Sequence, residues 1–417
     1  MVDEATALLP RSSLLPGGGE GASVRKTFAN IIISILGSGV LGLPFTYRVS
    51  GWAVAATSIT LAGGLSYYCM ILLVKCRDKL SSNGGHHFIQ TYPDLGYHTF
   101  GNLGRQVIEV TLLISQAGCC VAYLIFIGHN LSSVFFPDSK YALVIAILVP
   151  LEILLAWVRS LASLAPFSIF ANVCNVLAMA IVIKEDLGRL HSTGEKMATF
   201  KGWQSVPFAL GVCIYCYEGF GMTLSLQASM RKPHKFARVL GLAFGLITTV
   251  YLVFGLAGYA AFGEETLDIV TLNLGNRDWS TKLVKLGLSI ALFFTFPVMM
   301  YPVYEIFEGR LLLNKWFQRS VVPSPRLLAA VTGSIRGVVV VVVALIAVAV
   351  PGFGTFISLV GSTVCALLAF VFPALFHARV CADAPAWSRA VDATLVVFGV
   401  VFAVYGTYQT CTNAFVK

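Results

Sequence analysis

Charge is scarce in this 417-residue chain: 12% of it is Asp, Glu, Lys or Arg, against about 25% in a soluble domain. Hydrophobic residues make up 57%, and no stretch is long and polar enough to form a soluble domain. The formal charge of +9 comes from basic residues scattered between apolar runs. A basic stripe or domain is missing, so we expect no nucleic-acid partner. The spans hold no Gly-x-Ser-Gly, no paired aspartates and no His-x-x-x-His. A membrane-embedded enzyme would need such a group, so we expect no enzymatic activity, cofactor or metal. The ten cysteines lie mostly inside apolar runs, as small core residues rather than a disulfide framework. Cys213 and Cys216 form a CxxC with no second pair and no histidine nearby. The first 25 residues are polar and lack a signal-peptide core.

What the chain does have is long apolar runs. A membrane-crossing helix needs about 20 mostly apolar residues. Eleven candidates meet this, at 27–47, 51–75, 104–131, 141–158, 163–184, 205–228, 237–262, 281–307, 329–350, 353–376 and 392–411. The weakest divisions are at Gly51 and at Pro351-Gly352. Residues 81–103 are too polar to span and read as an interfacial loop or short helix. Positively charged loops mark the cytosolic side. With the N-terminus in the cytosol, 19 of the 29 Lys and Arg residues fall there. The "RKPHK" run at 231–235 and the acidic "GEETLD" at 263–268 then lie on opposite sides, and the C-terminus lies in the lumen.

The first run contains "ILGSGVLGLP", residues 35–44. Non-helical backbone at membrane depth is tolerated only where protein buries it or it lines a cavity. A break at Gly37–Gly42 frees backbone groups and starts a half-helix whose N-terminus favours an anion. Gly37 and Gly39 leave room for a ligand to touch the backbone, and Ser38 lies between them. The sixth run, "FALGVCIYCYEGFGMTLSL" at 208–226, has Tyr217, Glu218, Gly219 and Gly221 at its centre. Runs one and six each open a set of five helices and run in opposite directions. Paired breaks at matching places mark the site of a transporter with inverted repeats. Close packing of small residues is the competing reading.

Ionisable residues inside spans are costly and usually functional. Glu218 coincides with the second break. It could carry a coupling proton, stabilise a substrate ammonium, or prop the unwound segment. Glu152, in the fourth run, reads as structural, and His129 as interfacial. The eighth run, "FFTFPVMMYPVYEIFE" at 293–308, is kinked by Pro297 and Pro302. The Thr295 hydroxyl could help bind Na⁺ or bond back to its own helix. Tyr123, Tyr215 and Tyr217 could line a pocket or sit where helices meet. Gly42, Gly221 and Pro297 are the expected hinges.

Six segments in order resemble the amino acid/auxin permease family: "GSGVLGLP", "SQAGCCVAYLIFIG", "LAPFSIFANV", "YEGFGM", "FFTFPVMMYPVYEIFE" and "SLVGSTVCALLAFVFPALFH". The likeness covers about 25–411 and is strongest to the plant vacuolar amino acid transporters, which are similar to the proton-coupled amino acid transporters of animals. It implies an all-α fold like that of the sodium-coupled leucine transporter, with five plus five inverted helices and an eleventh. It also implies a small amino acid substrate, a proton gradient as the drive and export from vacuole lumen to cytosol. Family substrate contacts carry over to Gly37, Ser38, Gly39, Tyr217, Glu218 and Gly219. Two departures stand out. Animal members place a histidine where Asn30 falls, and "LPLE" after the second break is here "LSLQ", Leu224 to Gln227.

We therefore expect a proton-coupled carrier of small neutral amino acids in an endomembrane such as the tonoplast, working by alternating access. Sodium coupling through Thr295, an auxin carrier and a nutrient-sensing transceptor are the alternatives. The expected organisation is a disordered cytosolic tail at 1–25, a transporter domain at 26–411 (helices 1–5 at 27–184, helices 6–10 at 205–376, helix 11 at 392–411) and a short tail at 412–417. Glu4, Leu8 and Leu9, in "EATALL", resemble an acidic dileucine signal that sorting adaptors could read.

Overall fold

A computed structural model describes residues 21–82, 89–136, 141–157, 173–174, 176–184, 197–275, 278–312, 315–320, 323–350 and 352–415. The tail with Glu4, Leu8 and Leu9, and half of the fifth expected span, lie outside these residues. Among the described residues the chain is helical, apart from an isolated parallel bridge between Ala22 and Met230.

The first span is broken. Helix α1 (Val24–Ile35) starts at Ser23, whose side chain accepts the Lys26 N–H. It stops before a 3₁₀ turn, Ser38–Gly42, which leads into α2 (Leu43–Ser50). The two parts bend by 46°. Gly51 then turns the chain into α3 (Trp52–Ser82) with φ +87°. A Cβ there would lie 2.6 Å from the Thr199 carbonyl oxygen, so glycine is required twice over.

Of the polar stretch after α3, the residues from Tyr92 onward are helical. Thr91 and Asp94 close a capping box that opens α4 (Tyr92–Phe135), which is kinked at Gly101, where φ is +68°. Next come α5 (Tyr141–Ala156) and α6 (176–184). The sixth span is α7 (Val206–Cys216) and α8 (Phe220–Ala228), followed by α9 (Phe236–Phe262). A short α10 (Val270–Asn273) precedes α11 (Trp279–Leu312), α12 (Lys315–Ser320) and α13 (Pro325–Ala349). The tenth expected span is α14 (Phe353–Val360), π-helical segments at Gly361–Cys365 and Leu367–Val371, and α15 (Phe372–Val380); α16 (Ala386–Phe415) ends the chain.

Eight helices among the described residues are long and apolar enough to cross a membrane, and the bent α1–α2 pair makes nine. Helix α5 is apolar but has only 16 residues.

Burial separates centre from rim. In the α14–α15 span 72% of the most apolar window is buried, against 33% in α13 and 28% in α16. The outer helices expose Val338, Val342 and Leu345, and Val397, Val401 and Val404, an apolar surface suited to lipid tails. Around the centre, α7 packs on α3, α14 and the first π segment, α2 packs on α9 and α7, and α11 packs on α4. Helix α7 and the π segment cross backbone to backbone. A Cβ on Gly211 would lie 2.6 Å from the Ser358 carbonyl oxygen, and one on Gly361 would overlap the Gly211 carbonyl.

Candidate functional site

The two helix breaks meet at the centre of the bundle. At the first, the Leu36 N–H still donates to the Ile32 carbonyl, but Gly37 N–H turns to the Ile35 carbonyl at 2.9 Å. The 3₁₀ turn then starts at Ser38 with no side-chain cap, so its leading N–H groups have no partner within the turn. At the second break, α7 ends at Cys216 and α8 restarts after Gly219. Glycine stands at both interruptions, Gly37 and Gly219, where the sequence suggested them, since it sustains a helix poorly.

Contacts tie the breaks together. A Cβ on Gly39 would lie 3.0 Å from Cys216 Sγ and 3.1 Å from the Tyr215 ring; one on Gly219 would lie 3.1 Å from Ile35. A Cβ on Gly37 would meet nothing within 4 Å, so that wall of the break faces open space. Two helix C-termini, with negative dipole ends, and two helix N-termini, with positive ends, converge here. A zwitterion carries the complementary pair of charges.

Polar groups at this place lack protein partners. Ser38 is 2% exposed, and its Oγ has no hydrogen-bond partner; Glu218 Oε1 is likewise buried and unpartnered. Such orphaned groups are costly in a pure packing arrangement. Cys119 and Tyr123 of α4 and Cys365 of the π segment lie within electrostatic reach of the Glu218 carboxyl. Tyr123 is buried in the core.

Other expected residues are engaged elsewhere. The Tyr217 hydroxyl pairs with Thr248 Oγ1 at 2.7 Å, and its ring stacks on Phe244, so it contributes backbone to the break rather than its phenol. Thr295 Oγ1 donates to the Ala291 carbonyl at 2.8 Å. Its helix α11 packs on α4 and α5 and makes no extensive contact with the first broken span. Of the expected hinges, Gly42 is packed against Ile357 and Phe353, Gly221 lies beside Leu112, and Pro297 is buried inside a continuous α11. Glu152 is fully buried with neither carboxyl oxygen paired, on α5 and away from both breaks. Gln227, where the family often has glutamate, is 2% exposed with Oε1 unpartnered. Among the described residues there is no group of three or more potential metal ligands.

Tyr251 of α9 was not singled out by sequence. Its hydroxyl lies 3.1 Å from the Ile35 carbonyl oxygen and 3.0 Å from that of Cys216, the last residues of α1 and α7. Nothing local distinguishes it from any tyrosine in an apolar helix. The π segments were missed too, although π-bulges recur at functional sites.

The chain is 44% identical over 410 residues to "Amino acid transporter ANT1" of Arabidopsis thaliana, covering 94% of this chain and 93% of that protein. It is 27% identical over 450 residues to "Vacuolar amino acid transporter 4" of Saccharomyces cerevisiae, covering 98% of this chain and 61% of that protein. Among solved structures, the inward-facing conformation of Mhp1 aligns with a TM-score of 0.59 at 13% identity, over 97% of this chain and 95% of that one. This likeness shows the fold alone: that of the leucine-transporter type. The family model "Transmembrane amino acid transporter protein" matches residues 20–412. The chain belongs to the transmembrane amino acid transporter family and is a multi-pass membrane protein, not an enzyme.

Proposed function

We propose that this chain is a proton-coupled secondary transporter of small neutral amino acids that moves them from vacuole lumen to cytosol by alternating access. The observation that carries this reading is the meeting of two helix breaks beside open space at Gly37, with buried unpartnered oxygens on Ser38 and Glu218. The substrate carboxylate lies on the N–H groups that start the 3₁₀ turn at Gly37–Gly39. The ammonium lies at the α7–α8 break, near the carbonyls of Tyr217 and Glu218 and the Glu218 carboxyl, with Tyr123 on the α4 side. Only interactions of this kind, stronger in one state than another, can drive a conformational change.

Glu218 is the proposed proton carrier. It is a carboxyl at membrane depth with an unpaired oxygen, so a proton neutralises it at low cost. The engagement of Thr295 with Ala291 supports protons over Na⁺. The names of the plant and yeast relatives support an amino acid substrate and a vacuolar membrane. The architecture we propose is five plus five inverted helices and an eleventh, with residues 1–25 as a cytosolic tail that sorting adaptors read at Glu4, Leu8 and Leu9, and residues 412–417 in the lumen. Helices hinge at Gly42, Gly221 and Pro297.

The test is uptake of labelled alanine by purified protein in liposomes, in sodium-free buffer, with and without an imposed pH gradient. We expect uptake to follow the gradient and to collapse with a protonophore. In Glu218→Gln we expect residual uptake that no longer responds to the gradient. Wild-type uptake only with added Na⁺, or a gradient response intact in Glu218→Gln, would overturn the respective assignment.

A further inference from the structure

We infer that the hydroxyl of Tyr251 is a built-in substitute for a cation, holding the two helix breaks together at the point where a metal ion would otherwise bridge them. The inference deepens the transport reading and rests on it for its mechanistic meaning.

The C-terminal ends of α1 and α7 carry the negative end of each helix dipole and carbonyls outside the α-helical ladder: that of Ile35 accepts the Gly37 N–H at 2.9 Å and that of Cys216 faces Tyr251. The Ile35 and Cys216 carbonyls both lie about 3 Å from one point. Two such ends brought together repel unless something positive lies between them. In broken-helix transporters, unwound carbonyls and half-helix C-termini are what coordinate a coupling Na⁺ or H⁺. Here the point is occupied by a phenol oxygen whose proton is shared between the two carbonyls.

The hydroxyl is fixed there. Tyr251 is fully buried, and its ring packs on that of Tyr217 with centroids 5.3 Å apart. Tyr217 is itself anchored one helical turn away by the Thr248 hydroxyl. The phenol is thus carried by α9, which is unbroken through this region, and reaches both broken spans at once. An ion would have to displace it to reach the same carbonyls. Tyr251 is a positioning residue: it acts through the backbone of the breaks. The arrangement makes the site independent of Na⁺ at this position while keeping the geometry an ion would give.

The experiment compares wild type, Tyr251→Phe and Tyr251→Ala, each purified as the full chain. The first readout is the thermal unfolding midpoint in NaCl against choline chloride, which needs no substrate. We expect wild type to be indifferent to the cation. We expect Tyr251→Ala, which takes the phenol from both carbonyls, leaves Ile35 only the Gly37 N–H and opens space, to be stabilised by Na⁺ but not by choline. Tyr251→Phe removes the hydroxyl from both carbonyls while its ring still fills the space, and we expect no Na⁺ response. The second readout is alanine uptake under a pH gradient. We expect at least a tenfold loss in both variants in choline, recovering with Na⁺ only in Tyr251→Ala. A wild-type midpoint raised by Na⁺, uptake by Tyr251→Phe within twofold of wild type, or a folded Tyr251→Ala blind to Na⁺ would each overturn the inference. If Tyr251→Ala does not fold, wild type and Tyr251→Phe still decide it. Failure of the transport reading would appear separately, as no amino acid uptake by wild type, and leaves the midpoint comparison intact.

Discussion

Alanine at Gly37 and alanine at Gly39 are the same change two residues apart, and the structure assigns them opposite consequences. Gly37 has φ −105° and ψ −167°, extended backbone that any residue adopts, and its new Cβ would meet nothing within 4 Å. Its folding stability should stay within about 0.5 kcal/mol of wild type, as for a substitution that touches nothing. The new methyl would nonetheless stand in the open space where we place the substrate. One methyl group in a binding pocket is worth about 1–3 kcal/mol. Apparent affinity for alanine should therefore fall at least about tenfold, with larger substrates affected more. At Gly39 the Cβ would press to 3.0 Å on Cys216 Sγ and 3.1 Å on the Tyr215 ring. Overpacking of this kind costs about 1–3 kcal/mol, so Gly39→Ala should lower the unfolding midpoint as well as uptake. The assay is thermal unfolding of both purified variants beside concentration-dependent uptake in liposomes. Unchanged substrate affinity in Gly37→Ala would refute the placing of the ligand at that wall. A destabilised Gly37→Ala would refute the open space itself.

Three further outcomes follow from contacts outside the breaks. Arg336 is buried and bonded to both Glu308 oxygens, at 2.6 and 3.1 Å, and to the Ala156 carbonyl. Glu308→Ala strands that charge and should destabilise the protein by about 3 kcal/mol, read by thermal unfolding; Glu308→Gln should lose less. Thr295→Val removes a hydroxyl that bonds only its own helix, so sodium-free uptake should stay within twofold of wild type; loss of uptake would revive an ion role. Asp383, between α15 and α16, accepts a hydrogen bond from Lys79 that holds its carboxyl below the usual aspartate range. A carboxylate with a lowered value stabilises the folded state fully above the ordinary aspartate value of about 3.9 and loses that effect only as pH falls through the lowered value. Asp383→Asn should therefore leave the pH profile of uptake between 5 and 7 unchanged, measured at matched protein levels.

What could be seen in the sequence depended on how local its cause was. Gly37 and Gly219 interrupt apolar runs, and interruption is visible wherever glycine or proline falls in a would-be span. The capping box at Thr91 and Asp94 and the turn at Gly51 are equally local. The pairing of Tyr251 with Ile35 joins residues 216 positions apart, and no periodicity encodes that. Tyr217 looked like a pocket residue because it stands beside Glu218 and Gly219 at the break; only packing on α9 shows its phenol engaged by Thr248 and Phe244. Thr295 had two local options, an ion or its own helix, and its hydroxyl donates to the carbonyl four residues back. The π segments from Gly361 to Val371 contain one glycine and no proline, so their sequence reads as ordinary helix. Span counting was limited in another way: among the described residues α5 has 16 residues, Glu152 among them, fewer than a straight crossing needs.

The crossing of α7 with the first π segment constrains motion. Gly211 and Gly361 meet backbone to backbone, with Ser358 and Tyr215 beside them, so little at that point can be compressed. Interdigitated side chains let helices slide by repacking; bare backbones in contact do not. The two strands of main chain can pivot about the crossing as the blades of scissors pivot about a rivet, but they cannot part without opening a void or close further. In the alternating access we propose, the rearrangement that exposes the breaks to one side of the membrane and then the other turns about this point, and its reach at the membrane surface grows with distance from the rivet.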